Sequence, residues 1–135
     1  MSVSLIDFIS AINEDFEMCF EEEFGDTGIT KGQVVFISYI GYHPGCSPSE
    51  LAENTNADSG YTARSIKKLV DAGIAEKERR ESDKRAYMIR LTEMGMARFH
   101  ECEEMQRRWE EKVTEDLDSD ERQQLLQLLN KMGIF

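Results

Sequence analysis

A charged hairpin in the middle of the chain is the feature that most limits the possible fold. The segment from Gly73 to Thr92, GIAEKERRESDKRAYMIRLT, indicates two short strands joined by a loop. Tyr87, Ile89 and Leu91 alternate with other residues, the two-residue period of a half-buried strand. The tip between the strands is almost entirely charged. A cationic finger on a two-stranded ribbon suits the phosphates and the narrow groove of a DNA duplex.

Helix-start signals divide the rest of the chain into six helices. Residues typical of helix N-termini occur at Ser4, Thr30, Ser47, Asp58, Thr92 and Asp118. The predicted order is two helices, a short helix, a turn, a fourth helix, the ribbon, a long helix and a last helix, with a short strand allowed before the short helix. The short helix, tight turn and polar-faced fourth helix form a helix-turn-helix, and the ribbon makes it winged. The predicted fold is therefore mostly α with a small β wing.

The fourth helix is predicted to run from about Asp58 to a stop at Gly73. Its inward face is predicted to consist of Ala63, Ile66, Leu69 and Val70. Tyr61, Thr62, Arg64, Ser65 and Lys68 are expected to lie mostly outside. Composition alone leaves another interpretation open, in which the polar helix face and the hairpin are ordinary solvated surfaces.

Acidic and basic residues occupy different parts of the chain. The net charge of the 135 residues is −11, yet residues 1–30 contain eight acids and no Lys or Arg. Residues 47–91 contain nine bases and eight acids, a balance of +1. The segment with the predicted winged helix-turn-helix is thus close to neutral, whereas the acidity lies towards the ends.

The remaining composition favours one small cytoplasmic domain without catalytic chemistry. The three cysteines are an odd number without regular spacing, which favours a reducing compartment. We expect Cys102 in the core and Cys46 in an exposed loop with a minor redox role left open. His100 and Cys102 are two residues apart on one helix, so they do not form a metal pair. No catalytic motif, cofactor motif, signal peptide or membrane-spanning run is recognised.

Three segments of the chain resemble the MarR family of bacterial transcription regulators. SDKRAYMIRLTEMG, at Ser82–Gly95, is similar to the family's wing and following helix start. DSGYTARSIKKLVDAGI, at Asp58–Ile74, is similar to its recognition helix. DLDSDERQQLLQLLNKM, at Asp116–Met132, is similar to its C-terminal helix. The resemblance covers nearly the whole length, from about Ser4 to Met132.

The resemblance implies a dimer with paired winged helix-turn-helix lobes. Residues 30–91 would form the DNA-binding lobe, and residues 1–29 and 92–135 would supply the dimerisation helices of one domain, 1–135. The fourth helix would enter the major groove, and Arg85 would reach the minor groove from the wing tip. Asp83 matches the family acid that orients this arginine.

The predicted DNA contacts lie on the helix-turn-helix and the wing. Arg64 is the candidate reader of a base edge, because a bidentate arginine–guanine pair is the commonest specific contact. Arg79, Arg80 and Lys84 are candidate phosphate contacts, which position a protein on DNA without specifying sequence. The full set of candidates is Ser47, Ser59, Tyr61, Thr62, Arg64, Ser65, Lys68, Arg79, Arg80, Asp83, Lys84 and Arg85.

Two functions of different class are compatible with these features. The first is a sequence-specific DNA-binding regulator that acts as a homodimer on a pseudo-palindromic operator, most simply as a repressor that responds to a small-molecule effector. The second is an acidic winged-helix module that binds other proteins, as an antirepressor or heterodimer partner, and binds DNA weakly or not at all. The net charge of −11 motivates the second hypothesis.

Overall fold

The computed structural model describes residues 2–133, and within them every side chain except those of residues 83–85. Six helices and two strands follow each other along the chain. In order they are α1 (Leu5–Phe24), α2 (Lys31–Tyr42), α3 (Pro48–Asn54), α4 (Ser59–Asp71), β1 (Ala75–Arg80), β2 (Asp83–Leu91), α5 (Glu93–Val113) and α6 (Ser119–Lys131). This order confirms the predicted winged helix-turn-helix.

Predicted caps begin the helices through specific hydrogen bonds. Thr30 Oγ1 accepts from the Gln33 amide at 3.2 Å, and the Gln33 side chain accepts from the Thr30 amide at 2.9 Å. The same reciprocal box starts α1 at Ser4 and α6 at Asp118. Each box satisfies two amides that would otherwise have no partner within the helix. The local sequence therefore determines where these helices begin.

The wing is an antiparallel pair in which Ala75 faces Leu91 and Arg79 faces Tyr87. A bulge follows Arg79. The ribbon is fixed to the helices by an isolated bridge between Cys46 and Ile89, in which the Ile89 amide donates to the Cys46 carbonyl at 2.8 Å. This bridge occupies the place of the optional short strand expected between α2 and α3.

Apolar residues from the helix-turn-helix, the wing and the first half of α5 form one core. The buried members include Ile37, Ile40, Leu51, Ile66 and Ile89, each at most 1% exposed. A smaller cluster joins the end of α1, the start of α2 and the middle of α5 through Phe20, Phe24, Ile29, Val34, Cys102 and Met105. Both clusters lie within the first of two compact units, Met1–Met105 and Gln106–Phe135.

Among residues that are not DNA-contact candidates, Cys46 differs clearly from its predicted exposure. Its side chain is only 3% exposed, so the expectation of an exposed loop cysteine is wrong. The bridge to Ile89 draws this loop against the wing, and burial raises the pKa of the Cys46 thiol. Cys102 lies in the core as predicted, and burial raises the pKa of its thiol to about 11.

The junction between the wing and α5 explains why residue 95 is a glycine. The Thr92 hydroxyl donates to carbonyl oxygens of Gly73 and Ile74 and accepts from the Gly95 amide. A Cβ atom on Gly95 would overlap the Ile74 carbonyl oxygen. The first turn of α5 is therefore packed against the loop that leads into β1.

Candidate nucleic-acid interface

The turn between α3 and α4 is held by short-range hydrogen bonds. Ser47 Oγ accepts from the Glu50 amide at 3.1 Å and starts α3, where Pro48 occupies the first turn. Asp58 Oδ1 accepts from the Tyr61 amide at 2.7 Å and starts α4. Between them Asn56 adopts a φ of 53°, a left-handed conformation that asparagine tolerates better than most residues. These bonds set the direction in which α4 leaves the turn.

The inward face of α4 differs from the prediction by a rotation of the helix. Thr62 is 1% exposed and Ser65 is 7% exposed, so the expectation that both lie outside is wrong. The Thr62 hydroxyl donates to the Asp58 carbonyl at 2.8 Å, which satisfies the buried oxygen within its own helix. Ala63, predicted to face inward, is exposed. The buried stripe is therefore Thr62, Ser65, Ile66 and Leu69.

The opposite face of α4 is polar, with three cations and one acid. It exposes Ser59, Gly60, Tyr61, Ala63, Arg64, Lys67, Lys68 and Asp71. With 3.6 residues per turn, Gly60, Arg64, Lys67 and Asp71 lie along the middle of this face, directly opposite the buried stripe. Lys68 and Tyr61 lie towards one edge of the face. The Tyr61 ring is 44% exposed and packs on Phe36, with the ring centroids 5.8 Å apart.

Two residues on the middle of that face were missed by the sequence interpretation. Lys67 Nζ lies 2.8 Å from Asp71 Oδ2, and this hydrogen bond raises the pKa of the lysine. Within the described residues, no hydrogen bond or ion pair engages the side chains of Arg64 and Lys68. The signal that could have found Lys67 is the spacing of Thr62, Ser65, Ile66 and Leu69, because it orients the helix once threonine is allowed in the core.

The wing carries exposed cations that are partly paired with acids. Arg79 and Arg80 are both exposed at the end of β1. Arg90 Nε lies 3.0 Å from Glu78 Oε2 across the two strands. Lys77 Nζ lies 4.7 Å from the centroid of the Tyr87 ring, within the range of a cation–π contact.

One surface groove brings candidate residues from two elements together. Ser47 and Arg80 line the same groove of about 240 Å³, together with Pro48, Ser49, Ala86 and Tyr87. The wing and the start of α3 thus present polar groups to one space. The predicted contacts Asp83, Lys84 and Arg85 belong to β2 by their backbone, but their side chains lie outside the described residues.

Other kinds of site find no support in the part of the chain that the structure describes. No group of three or more metal-ligating side chains could hold a metal ion among those residues. No helix in the described range is both long and apolar enough to cross a membrane.

Known proteins with similar sequences are transcriptional regulators. A family model described as MarR matches residues 29–87. The HTH-type transcriptional regulator BilQ of Clostridium symbiosum is 39% identical over 126 residues, which cover 93% of this chain and 88% of that protein. The uncharacterized HTH-type regulator YdgJ of Bacillus subtilis is 26% identical over 90% of this chain and 70% of its own length.

Solved structures of MarR from E. coli are similar to this chain in both sequence and fold. The reduced form of MarR from E. coli is 26% identical, covers 98% of both chains and has a TM-score of 0.81. A cysteine-to-serine mutant of the same protein, complexed with operator DNA, is also 26% identical and has a TM-score of 0.78 over 95% of this chain and 92% of its own. The similarity of sequence and fold along almost the full length establishes that this chain belongs to the MarR family, as a transcriptional regulator and not an enzyme.

Proposed function

We propose that the protein binds double-stranded DNA in a sequence-specific way and regulates transcription as a homodimer in the cytoplasm. The observation that carries the proposal is the exposed cationic face of α4, presented on a helix-turn-helix by a well-packed core. A helix with this exposure fits the major groove of B-DNA. The similar MarR mutant that was solved with operator DNA supports the same use of the fold.

In this proposal the residues of α4 and of the wing have separate tasks. Arg64 reads a base edge, with Ser59, Tyr61 and Lys68 beside it on the exposed face. Arg79, Arg80, Lys84 and the α3 cap Ser47 contact phosphates and fix the register of the protein on the duplex. Arg85 enters the minor groove with Asp83 as its orienting acid, because a narrow minor groove concentrates negative potential. Thr62 and Ser65 make no DNA contact in this proposal because their side chains are buried.

The homodimer is supported by exposed apolar side chains outside the predicted lobe. In α1, Leu5, Ile6, Phe8, Ile9 and Ile12 are each between 47% and 64% exposed. In α6 no residue is buried, and Leu125, Leu126, Leu128 and Leu129 are each between 39% and 61% exposed. Apolar side chains in such numbers need a partner surface, and a twofold copy is the commonest one. Two lobes would then read half-sites about one helical turn apart.

Repression that responds to an effector completes the proposal. An open groove of about 800 Å³ lies beside the second half of α1 and the start of α2, with Phe20 and Ile29 among its apolar lining residues and Glu14 and Glu21 among its polar ones. A small molecule bound between the dimerisation helices and the lobe would favour one spacing of the two lobes. A difference of about 1–3 kcal/mol in its affinity for the two spacings would change DNA occupancy about 5–150-fold.

The proposal is tested by selecting bound sequences from a random duplex pool and measuring their affinity by fluorescence anisotropy. We expect a pseudo-palindrome to be enriched and Arg85→Ala to weaken its binding by about 1–3 kcal/mol. Arg64→Ala should cost a similar amount and relax selection at one position in each half-site. Arg122→Ala removes the same charge from α6 and serves as the control, with affinity unchanged.

The alternative function predicts a different result from the same experiment. A protein-interaction module would enrich no sequence, and neither Arg85→Ala nor Arg64→Ala would alter its behaviour. Such a result would overturn DNA-dependent regulation, and a partner regulator recovered with the protein would then support the antirepressor hypothesis.

A further inference from the structure

An exposed ion pair lies on the face of α4 that we assign to DNA. Lys67 Nζ and Asp71 Oδ2 are 2.8 Å apart, with 74% and 63% of their side chains exposed. Both residues lie along the middle of the face, in line with Arg64. Asp71 therefore carries a negative charge on the surface that would approach the negatively charged phosphates of DNA.

Helix stability does not account for an acid at this position. Asp71 is the last residue of α4, where the unpaired carbonyl groups give the helix end a partial negative charge. A lysine four residues before an acid is also the weaker of the two orientations for such a pair. Exposed pairs of this kind contribute little in any case. The carboxylate thus lies where the helix itself disfavours it.

The two ends of α4 meet different parts of a duplex in the proposed complex. The N-terminal residues of a recognition helix contact base edges, and later residues lie nearer the sugar-phosphate backbone. Asp71 lies seven residues beyond Arg64, about 10 Å further along the helix axis. The Lys67–Asp71 pair therefore lies at the phosphate end of the helix, where a lysine without a partner acid would bind any sequence.

We propose that Asp71 is a specificity-determining residue that weakens the binding of α4 to DNA phosphates irrespective of sequence. It acts in two ways, since its carboxylate holds the Lys67 ammonium and also repels phosphate oxygens directly. The inference rests on the proposed DNA-binding function. Phosphate contacts supply essentially all of the affinity for a random duplex but only part of the affinity for the operator. An acid that opposes these contacts therefore lowers non-specific binding more than specific binding, and specificity is the difference between the two affinities.

A second pair in the same lobe follows the same arrangement. Glu78 and Arg90 form a diagonal pair across the two strands of the wing, with 3.0 Å between Glu78 Oε2 and Arg90 Nε, and about half of each side chain is exposed. Both pairs contribute to the near cancellation of nine bases by eight acids in residues 47–91. Holding exposed cations beside acids is therefore a property of the lobe as well as of α4.

The test compares wild-type protein with Asp71→Asn on the selected operator and on a random-sequence duplex, over a range of salt concentrations. We expect the affinity for the random duplex to rise about three- to tenfold at low salt. The slope of log affinity against log salt should become steeper by about 0.9, the value for one additional phosphate contact. The operator affinity should rise less, so the ratio of specific to non-specific binding falls.

Two further variants separate this mechanism from a general effect of charge. Glu111→Gln removes one acid from another i,i+4 pair, in which Arg107 Nη1 and Glu111 Oε1 are 2.6 Å apart on α5, and it should leave the salt slope unchanged. The double variant Lys67→Gln with Asp71→Asn should lose most of the gain, because the released ammonium is absent. An equal gain in Glu111→Gln, or a full gain in the double variant, would overturn the inference.

Failure of the inference and failure of the proposed function give different results. If the wild type binds its selected operator and Asp71→Asn leaves the random-duplex affinity and salt slope unchanged, only the role of Asp71 is wrong. If neither protein binds any duplex at low salt, the proposed function is wrong and the inference falls with it.

Discussion

The predicted lobe and the end helices α1 and α6 use their apolar residues in opposite ways. In the lobe, the large aliphatic side chains at Ile37, Leu51 and Ile89 are fully buried, and the outer surface is charged. In α6 no side chain is buried, and the first eleven residues of α1 are exposed, including their apolar members. The difference teaches that the lobe is stabilised by a buried core, to which α5 contributes Phe99. The exposed apolar residues of α6 and of the first half of α1 are not covered within the described structure, as the proposed homodimer requires.

The largest expected effect tests how strongly the lobe depends on its buried core. Leu51→Ala in α3 removes a side chain that is 0% exposed. We expect the free energy of unfolding to fall by about 2–5 kcal/mol, from lost burial and the cavity left behind. Urea unfolding followed by far-ultraviolet circular dichroism at one fixed protein concentration measures it. Met94→Ala, at a side chain 53% exposed, is the control and should change stability by less than about 0.5 kcal/mol.

A loss below about 1 kcal/mol for Leu51→Ala would contradict the comparison. It would mean that the buried core contributes little to the stability of the lobe. The lobe and the end helices would then differ in how exposed their apolar residues are, but not in what stabilises them.

A smaller effect is expected where the end helices would contact a second copy in the proposed homodimer. Ile9 in α1 and Val35 in α2 are almost equally exposed, at 47% and 48%. Ile9→Glu should raise the dimer dissociation constant about 30-fold, the equivalent of about 2 kcal/mol for an interface residue that becomes charged. Sedimentation equilibrium measures the change, and the circular dichroism spectrum should show that the helices remain.

Val35→Glu is the matched control for that experiment. It introduces the same charge at a side chain of nearly the same exposure, but inside the lobe. The dimer dissociation constant should therefore not change. Equal effects of the two substitutions, or none from Ile9→Glu, would remove the distinction between lobe and end helices.

The smallest effect concerns the buried thiols. Burial raises the pKa of Cys46 and Cys102, so the unfolded chain loses these protons first as the pH rises. Their contribution to stability is therefore complete below the ordinary thiol pKa and is lost as the pH rises towards about 11 for Cys102. Urea unfolding at pH 7 and pH 9 should differ by less than about 1 kcal/mol from this cause.

Thiol labelling gives a direct check on the same two residues. With an aromatic disulfide reagent at pH 8, the native protein should react rapidly at one thiol, Cys19, which is half-buried. The other two should react only after unfolding. A Cys19→Ser variant that still reacts rapidly would show that Cys46 or Cys102 is accessible.

The sequence was a good guide wherever the determining interactions are local. Helix starts at Ser4, Thr30 and Asp118 were predictable because a cap needs only a side chain three residues away. The alternation from Tyr87 to Leu91 likewise located the second wing strand, and Ile89 and Leu91 are buried as that pattern requires.

The predictions were wrong where a polar residue is buried, or where the burial of a residue depends on a contact with a residue far away in the sequence. Thr62 is buried because its hydroxyl bonds to its own helix, which hydrophobicity alone does not reveal. A prediction with Thr62 at the surface turns α4 about its axis, so that Ala63 faces inward and Lys67 is not recognised as part of the exposed face. Cys46 was misjudged because its burial depends on Ile89, far away in sequence.

The bridge between Cys46 and Ile89 also has a consequence for synthesis. The loop before α3 and the second wing strand are separated by the whole helix-turn-helix, so the lobe remains open until the ribosome has made both. At about 5–20 residues per second, several seconds pass between the synthesis of the apolar face of α1 and that of Ile89. During those seconds the nascent chain has an exposed apolar helix, α1, followed by a lobe that cannot yet complete its fold. Neighbouring ribosomes on one messenger RNA would hold two such helices close together, so the proposed homodimer could begin to assemble before either chain is released.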